Sequence, residues 1–375
     1  MNKAVFIYSQ ELEKFRYPPE HPFNTARAQK TRQIAEAMGL LSGENISEVA
    51  PRPADRLVLK KFHSARYLQA LRIASKARWQ PEALSMGLGT GDCPVFLGLY
   101  DYAVLASGGT LVAAKMILKG SADAAFNPSG GYHHAGPERA SGFCYINDVA
   151  LACMVLAEAG KRVLYLDVDV HHGDGVAYAF YDRADVMTIS FHQDPRTLFP
   201  GTGFVHEIGK GQGKGYCVNV PLPMGTYDEA YMEAFTKIAV PLIGVYEPDV
   251  IVFELGADAL ADDPLANLRL TNNVYVEIIR DLLHFGRPIL MTGGGGYNVG
   301  NTVRAWVLAW SVLCGGDVDC GGDVNAGGDS EGARWRERLR DKKLAVSSQQ
   351  RDVVMPAIEA TIKAVKRSIF PVHGI

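Results

Sequence analysis

The sequence predicts an α/β protein, a single open parallel sheet with helices on both faces, and three observations carry that expectation. Short runs rich in β-branched and aromatic residues alternate with longer stretches whose apolar residues recur at helical spacing. The short runs are apolar nearly throughout, as strands covered on both faces must be. Several of them end in Gly, Asp or His, and open α/β sheets bind ligands beyond the carboxyl ends of their strands.

In chain order the strand-like runs are Ala4–Ser9, Ala124–Pro128, Arg162–Val170, Val186–His192, Gly215–Leu222, Val250–Glu254 and Pro288–Thr292. Helical spacing is clearest in Leu97–Leu118, Val149–Ala159, Ala230–Val245 and Val274–Phe285. No linker divides the chain, so residues 1–375 read as one domain. The segment 315–332 repeats a Gly/Asp hexapeptide three times, GGDVDC-GGDVNA-GGDSEG, and reads as a flexible surface loop. Its period differs from the nonapeptide of calcium-binding turn arrays. The stretch 334–368 is charged, helical in character and expected on the outside.

A hydrophobic content of 47% with 21% charged residues and a net charge of -3 fits a soluble globular chain. Without a Lys/Arg run, that balance gives no footing for nucleic acid. The apolar stretch within Met1–Gln10 is too short for a secretion-signal core, and no apolar run approaches the roughly 18 residues of a membrane span. Six cysteines without a Cys-x-x-Cys pair read as reduced thiols, which points to the cytoplasm.

Four of the ten histidines form two adjacent pairs, His133-His134 and His171-His172. The second follows Asp167-Val168-Asp169-Val170, and on a continuing strand Asp167, Asp169 and His171 would share one face. Two carboxylates beside an imidazole are costly to bury without a cation or protons, although Asp-His pairs without metal do occur. Asp258, at the end of Glu254-Leu255-Gly256-Ala257-Asp258, adds a third ligand. Asp169, His171 and Asp258 then make the three-ligand N/O set with an open position that suits catalytic zinc, with Fe(II), Mn(II) or Co(II) also acceptable. Asp167 and Asp174 remain to hold imidazole N–H groups. His133 and His134 follow a strand and a Gly turn; they are either surface loop histidines or, better placed, a general base beside metal-bound water. Gly293–Gly296 before Tyr297 lacks the Lys-Ser/Thr of a phosphate loop. It fits a flexible hinge that offers a Tyr hydroxyl to an oxyanion.

The motifs GGYHHA, SGFCYIND, YLDVDVHHGDG, LGAD and GGGGY, in this order, resemble the histone deacetylase family, in the class I-like branch that includes bacterial acetoin-utilisation proteins. The resemblance spans about Tyr17 to Trp310 and implies the arginase/deacetylase fold, with about eight parallel strands. It implies Asp169, His171 and Asp258 as zinc ligands. It makes His134 general base and acid, His133 an electrostatic partner, and Asp167 and Asp174 their respective carboxylates. Tyr297 would polarise the amide carbonyl. Phe143 and Phe199, with Gly142 beside Phe143 and Leu265 near the mouth, would wall a narrow tunnel. Asp92 would grip substrate backbone at the rim, and Arg27 would serve an interior cavity on an acetate route. A potassium ion would sit among Asp167, Asp169, His171, Ser190 and Phe191.

The expected function is a zinc-dependent deacetylase that hydrolyses N-acetyl or N-acyl lysine in proteins. The alternatives are an acetylpolyamine deacetylase and a non-catalytic acyl-lysine binder. A two-metal ureohydrolase on the same fold needs paired carboxylates where this chain reads Gly256-Ala257-Asp258.

Overall fold

A computed structural model describes residues 3–315, apart from 77, 79 and 80, and residues 331–375. Eight strands, β1 (Ala4–Ile7), β2 (Ile46–Val49), β3 (Ala124–Asn127), β4 (Val163–Asp167), β5 (Val186–Gln193), β6 (Cys217–Leu222), β7 (Val250–Glu254) and β8 (Ile289–Thr292), form one sheet. Their order is β2-β1-β3-β8-β7-β4-β5-β6, and every pairing is parallel. Sequence patterning anticipates seven of them. It misses β2, whose Ile-Ser-Glu-Val lies on the sheet edge with two exposed polar residues, so it lacks the apolar signature of its neighbours.

The period of two divides each strand between two cores. Phe6, Phe126, Leu164, Leu166, Ile189, Phe253 and Met291 pack on one face with the helices Ala26–Ala37, Asp228–Tyr246, Asn273–His284 and Val299–Leu313. Val5, Ile7, Ala125, Val163, Tyr165, Val252 and Leu290 meet the helices Leu99–Leu118 and Asp148–Glu158 on the other. By length and composition Leu99–Leu118 could cross a membrane, but 67% of that window is buried inside the fold. No unbroken apolar run marks it, because Ser107-Gly108-Gly109-Thr110 interrupts the pattern. These small residues let chain approach chain: a Cβ on Gly108 would lie 1.7 Å from the Arg52 carbonyl oxygen.

The C-terminal segment expected on the outside lies at the surface with most of its charged residues exposed and lays an apolar stripe on the main core. It forms two helices, Glu331–Leu339 and Ser348–Ile369, and the second buries Val354, Ile358, Ile362, Val365 and Ile369. Its one-sided apolar spacing is what a surface-covering amphipathic helix needs. Within the Gly/Asp repeat, residues 316–330 lie outside the described residues.

The segment after β3, which carries the first histidine pair, is held by a buried polar network. Asn127 Nδ2 donates to the Ala106 carbonyl and to Thr110 Oγ1, at 3.0 and 2.8 Å. Thr110 in turn donates to Asp148. Asp148 accepts the backbone N–H groups of Gly131 at 3.1 Å and Tyr132 at 2.8 Å. Asn147 caps the helix Asp148–Glu158 through Ala150 N–H, and its amide donates to the carbonyls of His133 and Ala135 at 3.1 and 3.0 Å. A buried donor stripped of its acceptor costs about 1–3 kcal/mol, and Asp148→Ala strips two backbone donors and one hydroxyl. Denaturant unfolding of Asp148→Ala is expected to show a loss of about 3 kcal/mol or more. A change within about 0.5 kcal/mol would show that the network does not hold the loop.

Candidate active site

Asn127, Thr292, Glu254 and Asp167 stand level across the sheet, so β3, β8, β7 and β4 end together and their following loops converge, while β5 passes this level at Ser190 and runs on to Gln193. The segment after β4 does not continue as a strand, contrary to the expected alternation through His171. β4 stops at Asp167, and the chain turns on its own carboxylates. Asp169 N–H donates to Asp167 Oδ1 at 3.0 Å, and His171 N–H donates to Asp169 Oδ1 at 2.9 Å. Short acidic side chains offer the backbone this alternative to the ladder. Asp169 and His171 still meet, and Val170 N–H donates to Asp258 Oδ1 at 2.9 Å, which ties in the loop after β7.

His171 Nδ1 lies 3.2 Å from Asp169 Oδ1 and 3.0 Å from Asp258 Oδ2. All three residues are buried, with ligand atoms within 4.8 Å of one another. Burial alone would lower the His171 pKa, but its contacts with Asp169 and Asp258 raise it to about 10. Burial, then the charge of Asp169, pushes Asp258 up to about 7. Two carboxylates around one imidazole favour a positive charge among them, and the cluster could hold a metal ion. Donor separations near those of a tetrahedral site, whose edge is about 3.3 Å for bonds near 2.0 Å, fit a small divalent metal.

The glycines around this cluster act by close approach. A Cβ on Gly256 would fall 2.0 Å from Asp169 Oδ2, and one on Gly295 would fall 1.8 Å from Asp258 Oδ2. Gly295 N–H donates to Asp169 Oδ2 at 2.6 Å. The Gly293–Gly296 run, expected as a flexible hinge, is thus a buried wall pressed onto the carboxylates.

His133 Nδ1 is 3.0 Å from Asp167 Oδ2, His134 Nδ1 is 2.7 Å from Asp174 Oδ1, and the two Nε2 atoms are 3.0 Å apart. Their surroundings set them apart. Burial would lower His133, yet Glu254, Asp167 and Asp169 outweigh it and raise its pKa well above the usual value. Burial, then the charge of His133, lowers His134 to about 4. The surroundings favour the charged form of His133 and the neutral form of His134, setting the two pKa values apart.

One cavity is lined by His134, His171 and Tyr297 together with Asp92, Gly142, Phe143, Leu198, Phe199 and Leu265. Burial raises the Tyr297 pKa well above its ordinary value, so the hydroxyl keeps its proton. Phe143 sits at φ 66°, a left-handed conformation costly for a bulky residue. Its carbonyl accepts from Tyr17 Oη at 2.9 Å, and its ring meets Tyr297 edge-on at 5.6 Å. Phe199 meets His134 edge-on at 5.0 Å. Gly142 leaves room for the His134 ring, which a Cβ would approach to 2.2 Å. Exposed Asp92 accepts the Gly142 N–H at 2.8 Å. Arg27 is not among the residues lining this cavity. It lies behind the glycine wall, donating to the carbonyls of Gly296 and Gly294 at 2.7 and 2.9 Å, beside an interior cavity that Tyr102 and Tyr132 also line. Asp167, Asp169, His171, Ser190 and Phe191 are all buried around the ends of β4 and β5.

Three contributors escape the sequence reading. Glu254, at the tip of β7, is buried with Oε1 3.3 Å from His133 Nδ1, and burial drives its pKa well above the carboxylate range. Tyr165 donates to Asp167 Oδ2 at 2.6 Å; its place two residues before Asp167 on one strand was a usable signal. Asp263 accepts the Tyr297 N–H at 2.7 Å and the Leu265 N–H at 2.9 Å, a bridge with no local sequence mark.

Residues 21–313 match the family described as the Histone deacetylase domain. The acetoin utilization protein AcuC of Bacillus subtilis is 42% identical over 325 residues, 84% of each chain. Histone deacetylase 3 of Oryza sativa is 38% identical over 315 residues, 84% of this chain and 62% of its own length. The crystal structure of an HDAC homologue from Aquifex aeolicus superposes with a TM-score of 0.84 at 32% identity, covering 97% of this chain and all of that one. An HDAC homologue complexed with SAHA gives a TM-score of 0.83 at 32% identity, with the same coverage. Likeness of this extent, on the parallel sheet of the arginase/deacetylase fold, makes the chain a member of the histone deacetylase family and an amidohydrolase.

Proposed function

We propose that the chain is a zinc-dependent deacetylase that hydrolyses N-acetyl-lysine in proteins to acetate and free amine. The observation that carries this reading is the meeting, in one cavity, of a buried Asp/His cluster, a neutral imidazole and a protonated phenol. A divalent cation held by Asp169, His171 and Asp258, with Fe(II) the alternative to zinc, would polarise the amide carbonyl and acidify a water.

The chain's own groups supply the rest. His134, fixed through Nδ1 by Asp174, accepts a proton from the attacking water and returns it to the departing amine. His133 stays charged between its carboxylates and stabilises negative charge without taking part in the proton transfer. The Tyr297 hydroxyl donates to the oxyanion as it forms. Phe143 and Phe199 flank the aliphatic chain of the lysine, and Leu265 borders the mouth. Asp92 accepts substrate backbone N–H groups, and Arg27 draws acetate toward the interior cavity. A potassium ion among Asp167, Asp169, His171, Ser190 and Phe191 would steady the ends of β4 and β5. Likeness to an HDAC homologue complexed with SAHA supports a ligand-binding cavity. The five described cysteines are free thiols, in keeping with work in the cytoplasm by one domain spanning 1–375.

Tyr297→Phe is expected to lower kcat by about 10²-fold or more, the worth of one oxyanion donor, in steady-state assays on an acetyl-lysine peptide. An unchanged kcat would remove Tyr297 from the chemistry. Dialysis against a chelator should abolish turnover, with recovery on adding Zn²⁺, and full activity of the stripped protein would overturn the metal reading. A higher kcat/KM on an acetyl-lysine peptide than on acetylputrescine is the expected order; the reverse order would move the substrate class to polyamines.

A further inference from the structure

The geometry points to a specificity device behind the cavity wall: the buried pair His172 and His192 pins the loop that carries Phe199 and so fixes the width of the slot for the substrate's aliphatic chain. This deepens the deacetylase reading above and rests on it.

Phe199 belongs to the loop 194–207 between β5 and β6, off the sheet, and is 45% exposed. On its N-terminal side the loop is tied to its flanking strands by Asp194 N–H donating to the Leu222 carbonyl at 2.8 Å and Gln193 Nε2 donating to Thr197 Oγ1 at 3.1 Å, and otherwise to itself. Thr197 N–H and Oγ1 both donate to the Asp194 carbonyl at 2.8 Å, and Arg196 pairs with the Asp194 carboxylate. On its C-terminal side the loop is tied to the strand ends. His172 Nδ1 lies 2.9 Å from Thr202 Oγ1, and His192 Nε2 lies 2.9 Å from the Gly203 carbonyl oxygen. A carbonyl only accepts, so His192 Nε2 carries a proton. Its Nδ1 lies 2.8 Å from Ser190 Oγ, two residues earlier on β5.

The two rings stand 4.8 Å apart, and the loop backbone lies directly on them. Gly203 has φ 92°, and a Cβ there would fall 2.4 Å from His192 Nε2 and 2.7 Å from His172 Cγ. Glu207 closes the turn by accepting the N–H groups of Gly203 and Phe204, both at 3.1 Å. The loop therefore cannot settle closer to the rings, and its two hydrogen bonds keep it from lifting. His172 follows His171 directly, so one turn of backbone places both a candidate metal ligand and the anchor of the loop that carries Phe199. His172 and His192 act through Phe199 and are positioning residues.

Releasing the anchor would leave the chemical groups in place and loosen one wall. That removes binding shared by ground state and transition state, which raises KM more than it changes kcat. The test uses the full chain with its metal content measured, as wild type, Thr202→Val and His192→Leu. Steady-state kinetics are compared on an acetyl-lysine peptide and on the same peptide with a methyl branch in the acetylated side chain. At unchanged metal content, both variants are expected to raise KM for acetyl-lysine about tenfold, with kcat within about threefold. Their preference for the unbranched chain should fall about fivefold or more. Thr202→Val keeps the shape of the residue and so guards against misfolding of His192→Leu. If Thr202→Val leaves KM and preference within about twofold of wild type, the inference is overturned, whatever His192→Leu does to thermal stability. An inactive wild type would instead sink the deacetylase reading itself.

Discussion

Four carboxylates, Asp167, Asp169, Glu254 and Asp258, are buried together at the carboxyl ends of β4 and β7. Charges of one sign in a dry interior repel strongly and lose their hydration, so such a group persists only with matched positive charge. The surrounding structure supplies that match in two places. His133 takes the field of Asp167, Glu254 and Asp169, while His171 sits between Asp169 and Asp258, where a metal can replace its proton. The neutral state of His134 follows, because it is buried beside an imidazole that is already charged.

This charge balance explains features that look unrelated in the sequence. The level ends of β3, β8, β7 and β4 bring four loops to one point. Glycines at 256 and 295 give up their side chains so that backbone can close over the carboxylates. Asn147 and Asp148, both fully buried, fix the histidine loop by meeting its backbone polar groups. Arg27 does the same for the glycine wall from behind, through the carbonyls of Gly294 and Gly296.

Much of this was legible in the residues. Strands buried on both faces show as continuous apolar runs, and paired histidines with clustered aspartates at their ends mark the site. What was not legible depends on partners distant in sequence or on competition between local bonds. β2 carries too few apolar residues to announce itself. The chain leaves the strand after Asp167 because Asp167 and Asp169 offer their carboxylates to the backbone, which periodicity does not register. Asp263 gains its role only when the loops after β7 and β8 meet. The helix Ser348–Ile369 reads as charged along its length, but its apolar stripe faces the core.

In the function proposed above, one divalent cation neutralises the Asp169, His171 and Asp258 cluster. Calorimetric titration of the chelator-stripped chain with Zn²⁺, beside Asp258→Asn, tests it most directly. One tight equivalent is expected for the wild type, with an affinity lowered at least about a hundredfold in the variant. Equal binding by the two proteins, or none by the wild type, would contradict it.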